Sequence, residues 1–302
     1  MATLSDWAAG ARPRTLPMAV APVVIGAAAA FSHTGSLSLL QTVVAALALV
    51  VALALQVGVN YANDYSDGVR GTDDARVGPM RLTATGTAAP QQVKGAAVIS
   101  FAVAAAAGAA IVLIIGAWWM LAVGVLCILA AWWYTGGSRP YGYLGLGEVM
   151  VFVFFGLVAT LGTAYAAVQA SAEPVSLPAA EALVGAVSHG LIASGLLMVN
   201  NIRDIPTDAQ AGKRTLAVRL GEGPARWGYA AMLGVAVLLP LALLPTSWWY
   251  LLVVLSWVVC VGPIRITLVR RATGGALIPV LQQTSVVGLV FAATYSAAML
   301  LS

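Results

Sequence analysis

Residues 38–67 read SLLQTVVAALALVVALALQVGVNYANDYSD. Up to Asp64 this stretch carries no charge, and about 20 predominantly apolar residues are enough for a helix to cross a bilayer. The reading is therefore a membrane span over 38–63. Its end changes character. Asn60, Asp64 and Asp67 stand at i, i+4 and i+7, which puts them on one face if the helix continues. An apolar span running into a polar ladder sets the terms for the rest of the chain.

Working outward with the same length criterion predicts nine spans: 15–31, 38–63, 92–115, 117–135, 147–170, 180–201, 224–244, 247–269 and 279–301. Strands of an outer-membrane barrel would be about ten residues long and would alternate apolar with polar. These runs do neither, so the fold class is an all-α membrane protein. Gly116 and the Trp118-Trp119 pair divide 92–135 into two helices, because Trp is enriched at membrane interfaces. The whole chain agrees. Of its 302 residues 61% are hydrophobic and only 9% charged, with a mean hydropathy of +0.92. Soluble domains carry about 25% charged residues, so a cytosolic enzyme, a nucleic-acid-binding domain and a disordered chain are excluded. Cys127 and Cys260 lie in apolar runs at no metal-ligand spacing.

The net charge of +4 comes from 15 basic and 11 acidic residues, and their placement decides the topology. Every basic residue falls in the N-terminal segment or near 64–94, 136–146, 202–226 and 264–278. The loops near 32–37, 116, 171–179 and 245–247 have none. The positive-inside rule then puts the N-terminus in the cytoplasm and, with nine spans, the C-terminus outside. Arg12 and Arg14 ahead of an apolar stretch raise the alternative of a signal peptide; Pro13, Pro17 and Pro22 favour a broken first helix instead. No linker or composition shift divides the chain, so residues 1–302 are expected to form one domain.

A second ladder follows the sixth span: Asn200, Asp204 and Asp208 stand at i, i+4 and i+8, beside Asn201 and ahead of Lys213. Carboxylates at membrane depth are costly without partners. Mg²⁺ takes oxygen ligands and typically binds one or two carboxylates together with substrate phosphates. Arg81, Lys94, Arg139 and Lys213 suit the remaining phosphate oxygens. The two ladders thus point to a Mg²⁺–diphosphate ligand at one membrane interface. The bland alternative, a solvated acidic loop face, holds better for a single pair such as Asp73-Asp74 than for two ladders on one side. Other residues carry less. Arg139, Tyr141, Glu148 and Arg14 lie where an acceptor substrate could be held or where positive-inside anchors belong. His33 falls in an outer loop, and His189 fits a packing role.

The pattern of Asn60, Asp64 and Asp67 with Asp204 and Asp208 resembles the paired aspartate motifs of the intramembrane prenyltransferase (UbiA) superfamily. Asn63-Asp64-Tyr65-Ser66-Asp67-Gly68, Asn201-Ile202-Arg203-Asp204 and Ala211-Gly212-Lys213-Arg214-Thr215-Leu216 are similar to the 1,4-dihydroxy-2-naphthoate polyprenyltransferases of menaquinone synthesis, as are Gly136 to Tyr141 and Gly145 to Glu148. The likeness covers essentially the whole chain. It implies a UbiA-like bundle in the cell membrane. It also implies transfer of a polyprenyl group from polyprenyl diphosphate to 1,4-dihydroxy-2-naphthoate with loss of CO₂, giving demethylmenaquinone. Mg²⁺ would be held by Asp64, Asp67, Asp204 and Asp208, with Lys213, Arg81 and Lys94 adding positive charge. An apolar groove for the prenyl tail, lined by the second, fourth and fifth spans, is implied too. The alternatives are another acceptor, such as 4-hydroxybenzoate, on the same scaffold, or a divalent-cation transporter; charges confined to one interface disfavour the latter.

Overall fold

The computed structural model describes residues 2–35, 38–72, 81–171 and 179–302. Asp73 and Asp74 lie outside them. Among the described residues there are helices, turns and no strand. A short α1, Leu4–Gly10, opens on a capping box in which Thr3 and Asp6 exchange hydrogen bonds. Then come α2 (Pro17–Thr34), α3 (Leu39–Val69), α4 (Pro90–Ile115) and α5 (Met120–Trp133). They are followed by α6 (Gly147–Gln169), α7 (Ala179–Gln210) and the short α8 (Leu216–Leu220). The chain ends with α9 (Glu222–Leu243), α10 (Trp248–Val269) and α11 (Gly274–Leu301).

Eight of these helices are long and apolar enough to cross a membrane. The predicted span over 117–135 is realised as α5, which has 14 residues. At about 1.5 Å per residue it rises about 21 Å, short of a hydrocarbon core about 30 Å thick. The count of nine therefore depends on this one short helix. The predicted break at Gly116 is present: its φ of 71° is left-handed, and its N–H donates to the Val112 carbonyl at 2.8 Å. The acidic ladders do extend helices, since α3 continues six residues past the predicted 63 and α7 nine past 201.

The main apolar core lies where α2, α7, α9, α10 and α11 meet, around Ile25, Ile192, Tyr229, Leu233, Phe291 and Tyr295. Close approach is made by glycine. A Cβ on Gly156 of α6 would stand 2.6 Å from the Cα of Gly190 in α7, and one on Gly26 of α2 would stand 2.4 Å from the Thr160 carbonyl oxygen of α6. Small residues at such crossings let backbones touch, which is how membrane helices pack without a hydrophobic drive between them. α3 lies along α4, and α2 is held between α6 and α11.

Pro22 interrupts the hydrogen bonds of α2, because it has no N–H for the Met18 carbonyl four residues earlier. His189, fully buried in α7, supplies the replacement: its Nε2 lies 3.1 Å from the Met18 oxygen. A carbonyl only accepts, so the proton is on Nε2. The packing role expected of His189 is thus specific.

Candidate active site

The C-terminal ends of α3 and α7 bring the two ladders to the same end of the bundle. Carboxylates there oppose the helix dipole, whose negative end favours cations. Asp64, Asp67 and Asp204 accordingly each have a donor facing them.

Asp67 is buried and doubly held. Its Oδ1 accepts the Tyr143 hydroxyl at 2.7 Å, and its Oδ2 lies 3.1 Å from Lys213 Nζ. The same ammonium sits 4.7 Å from the Tyr143 ring centroid. Burial first, and the Asp67 charge second, push the Tyr143 phenol well above its ordinary range, which keeps it a donor. Thr72 Oγ1 lies 3.4 Å from that hydroxyl. On α7, Asp204 is gripped by the neighbouring Arg203 through both guanidinium edges, Nε to Oδ1 at 2.7 Å and Nη2 to Oδ2 at 2.6 Å. Asp208, one turn further, is half-buried.

Asp64 is placed differently. Its carboxylate accepts two backbone N–H groups, from Leu82 at 2.8 Å and Thr83 at 2.9 Å. It thereby fixes the turn that begins at the buried Arg81. The asparagines hold backbone and partners in place. Asn60 Nδ2 donates to the Ala11 carbonyl at 2.9 Å, and Asn201 Nδ2 donates to Glu148 Oε1 at 2.9 Å. Glu148 is buried at the start of α6, and its carbonyl also accepts from Ser194.

Between these groups and the opposite end of the bundle runs one cavity of about 1020 Å³. Its polar end is lined by Asn60, Asp67, Arg81, Asn200, Asn201, Asp204, Asp208 and Lys213, with Arg14 and Tyr141 beside them. The rest is apolar. Along α3 the lining residues run Ala48, Val51, Leu55, Val59, Asn63 and Asp67, a single helical face. Segments of α2, α4, α5, α6, α7 and α11 line the other sides, so the groove implied for the second, fourth and fifth spans also takes in the first, third, sixth and last.

Three expected site residues do not line this cavity. Asp64 faces the turn described above. Lys94 sits 5.8 Å and 6.0 Å from the ring centroids of Tyr65 and Trp132. Arg139 is exposed in the loop between α5 and α6. Conversely, sequence reasoning passed over Tyr143, Arg203 and Arg12 as site residues. Arg203 was legible as the cation adjoining Asp204. Arg12 lines the cavity with a left-handed φ of 54°, and nothing in spacing announces that. Tyr143 meets Asp67 only through the fold.

Among the described residues no three acidic, His or Cys side chains stand close enough to form a ready-made metal cage. The donor set is all oxygen, with Asp67, Asp204 and Asp208 opening on one cavity. This fits a hard cation that arrives with substrate phosphates and keeps waters, as Mg²⁺ does.

Residues 19–286 match the UbiA prenyltransferase family. The chain is 47% identical over 305 residues to a 1,4-dihydroxy-2-naphthoate octaprenyltransferase of Mycobacterium tuberculosis (strain ATCC 25618 / H37Rv), covering 99% of this chain and 98% of that protein. It is 38% identical over 238 residues to the protein of the same name from Escherichia coli (strain K12), covering 75% and 72%. Its fold is that of a UbiA homolog from Archaeoglobus fulgidus solved with GPP and Mg²⁺ bound, at a TM-score of 0.65 and 16% identity over 98% of this chain and 99% of that one. A UbiA homolog from Aeropyrum pernix K1 aligns at 0.68 and 17% identity, covering 91% and 96%. The chain is a multi-pass membrane prenyltransferase and belongs to the UbiA prenyltransferase family.

Proposed function

We propose that this prenyltransferase moves a polyprenyl group from polyprenyl diphosphate to 1,4-dihydroxy-2-naphthoate, in menaquinone synthesis. The observation that carries the reading is a single cavity with two chemistries. One end bears Asp67, Asp204, Asp208, Arg81 and Lys213, and the other is apolar over most of the length of α3. A diphosphate head on an isoprenoid tail matches both ends, and the relatives described above are named for this reaction.

The C1–O bond of the donor breaks, and its electron pair leaves on the diphosphate. The ring carbon bearing the carboxyl group bonds to C1. The carbon–carboxyl bond then breaks, its electrons return to the ring, and CO₂ departs. The product is the hydroquinone of demethylmenaquinone. Lys213 and Arg81 place fixed positive charge where the leaving group becomes more negative, the arrangement that stabilises a transition state most. Asn60, Asn200 and Asn201 shape the same end. Arg14, on the cavity, is the residue for the acceptor carboxylate; Tyr141 lines the wall beside it, its hydroxyl donating to the Ala130 carbonyl at 2.8 Å. Bound Mg²⁺, for which Asp67, Asp204 and Asp208 are suitable ligands, would supply Lewis-acid neutralisation of the diphosphate. Asp64 acts one step back by holding the turn that carries Arg81.

We read residues 1–302 as one domain of the cell membrane with the aspartates facing the cytoplasm, the side on which the basic residues collect. The test is mass spectrometry of products when purified protein is offered a polyprenyl diphosphate with several aromatic acceptors. A prenylated, decarboxylated naphthalene diol is expected. Preference for 4-hydroxybenzoate would overturn the acceptor, and no consumption of the diphosphate would overturn the reaction.

A further inference from the structure

Helical glycines in this bundle include some at crossings and some in open space, and the open ones include Gly95 of α4 and Gly223 and Gly228 of α9, away from the cavity. At Gly26, Gly156 and Gly190 an added Cβ would come within 3 Å of an adjoining helix, so these positions are small because helices cross there. Gly108, Gly124 and Gly162 have no such reason. A Cβ would meet nothing within 4 Å at Gly124 or Gly162, and only Val51 Cγ2, at 3.9 Å, at Gly108. Each sits inside a helix, where glycine is a poorer helix former than alanine, and no close contact compensates.

What the three share is the cavity and a depth in it. They line it from three separate helices, α4, α5 and α6. On each helix the position falls in the repeat of lining residues: Ala104, Gly108 and Ile111 on α4, Gly124 and Ile128 on α5, Val158 and Gly162 on α6. At about 1.5 Å per residue, Gly108 lies about 21 Å along α4 from Lys94, Gly124 about 15 Å along α5 from Tyr134, and Gly162 about 22 Å along α6 from Gly147. Val51, which faces Gly108, lies about 24 Å along α3 from Asp67. All three glycines therefore surround the far part of the channel, well away from the charged end.

We propose that Gly108, Gly124 and Gly162 keep the far end of the channel open for a long isoprenoid, and so set the preference of this enzyme for polyprenyl over short-chain donors. The inference rests on the prenyl-transfer reading above. A donor with two isoprene units ends before this level, so it is indifferent to side chains added there. A donor with eight units must pass between them or leave the channel. Bulk at any of the three positions thus discriminates by length alone.

The experiment compares geranyl diphosphate with octaprenyl diphosphate, each with dihydroxynaphthoate, in full-length wild-type protein and in Gly124→Phe, Gly162→Phe, Gly108→Leu and Gly162→Ala. The three bulky variants should lower kcat/KM for the octaprenyl donor by about tenfold or more, the scale on which apolar pockets discriminate by size. Geranyl transfer should stay within about twofold, and Gly162→Ala should lower octaprenyl transfer less than Gly162→Phe does, since a methyl narrows the channel least. Geranyl transfer also reports folding, so a variant that loses it is set aside and the other two decide. An unchanged donor ratio in the folded variants, or a parallel loss for both donors in all three, would overturn the proposal. Wild-type protein that transfers neither donor would instead overturn the prenyl-transfer reading beneath it.

Discussion

Lys213 Nζ lies 3.1 Å from Asp67 Oδ2, joining residues 146 positions apart. The pair closes the polar end of the cavity, with the Tyr143 hydroxyl on the other carboxylate oxygen at 2.7 Å. Losing an electrostatic contact of this kind to a developing charge costs about 10²–10³ in rate. Lys213→Met is expected to lower kcat/KM for the prenyl diphosphate by that order while the protein remains folded. Steady-state kinetics with varied diphosphate decide it, and a variant within twofold of wild type would remove Lys213 from the diphosphate end.

Metal removal is the second test. Chelation should abolish turnover and added Mg²⁺ should restore it. Asp67→Ala and Asp208→Ala should each lose about 10²–10³ in kcat/KM. Full activity in both variants would defeat a metal shared between α3 and α7.

Asp64 predicts a different phenotype. Its two acceptors serve the N–H groups of Leu82 and Thr83, and an unsatisfied buried backbone donor costs about 1–3 kcal/mol. Asp64→Ala should lower the melting temperature, because both N–H groups lose their acceptor. Asp64→Asn, which keeps one acceptor, should fall between Asp64→Ala and wild type. Equal melting temperatures across the series would contradict the anchoring role.

His189→Ala should destabilise the fold by about 1–3 kcal/mol, because the Met18 carbonyl loses the side-chain donor that replaces the N–H Pro22 lacks. His189→Gln, with an amide donor, should recover part of the loss. Both should leave the substrate KM values unchanged, since the imidazole sits between α2 and α7 and not on the cavity. Thermal unfolding and KM measured on the same samples separate these outcomes.

Arg139 is exposed and away from the cavity, so Arg139→Ala should change acceptor kcat/KM by no more than the effect of an ordinary surface substitution, about 0.5 kcal/mol or roughly twofold. Arg14 lines the cavity. Loss of its contact to a charged acceptor, about 1.5–3 kcal/mol, should reduce acceptor kcat/KM about 10- to 150-fold. The reverse ranking of the two variants would return the acceptor site to the loop between α5 and α6.

Orientation is open to direct labelling. With Cys127 and Cys260 replaced, single cysteines at the exposed Gln210 and Thr273 should react with an impermeant reagent from the cytoplasmic side, and one at Ser302 from the other. Gln210 and Ser302 reacting from the same side would require a different number of crossings.

By itself the sequence determined what is local in the chain. Apolar length set the helices, Gly116 set the break before α5, and one-sided basic loops separated the two ends of the bundle. The spacing of Asn60, Asp64 and Asp67, and of Asn200, Asp204 and Asp208, put each ladder on a helix end. Only the tertiary structure decided how the helices are rotated about their axes. A span that is apolar on every face has no amphipathic phase from which its inward side is legible. That rotation comes from contacts between segments far apart in the chain, such as Gly156 on Gly190 and Gly26 on Thr160. It turns Asp67 into the cavity and Asp64 toward the Leu82 turn, although both were read from a single ladder. It also brings Tyr143 to Asp67, leaves Arg139 in solvent, and gathers Gly108, Gly124 and Gly162 around one channel.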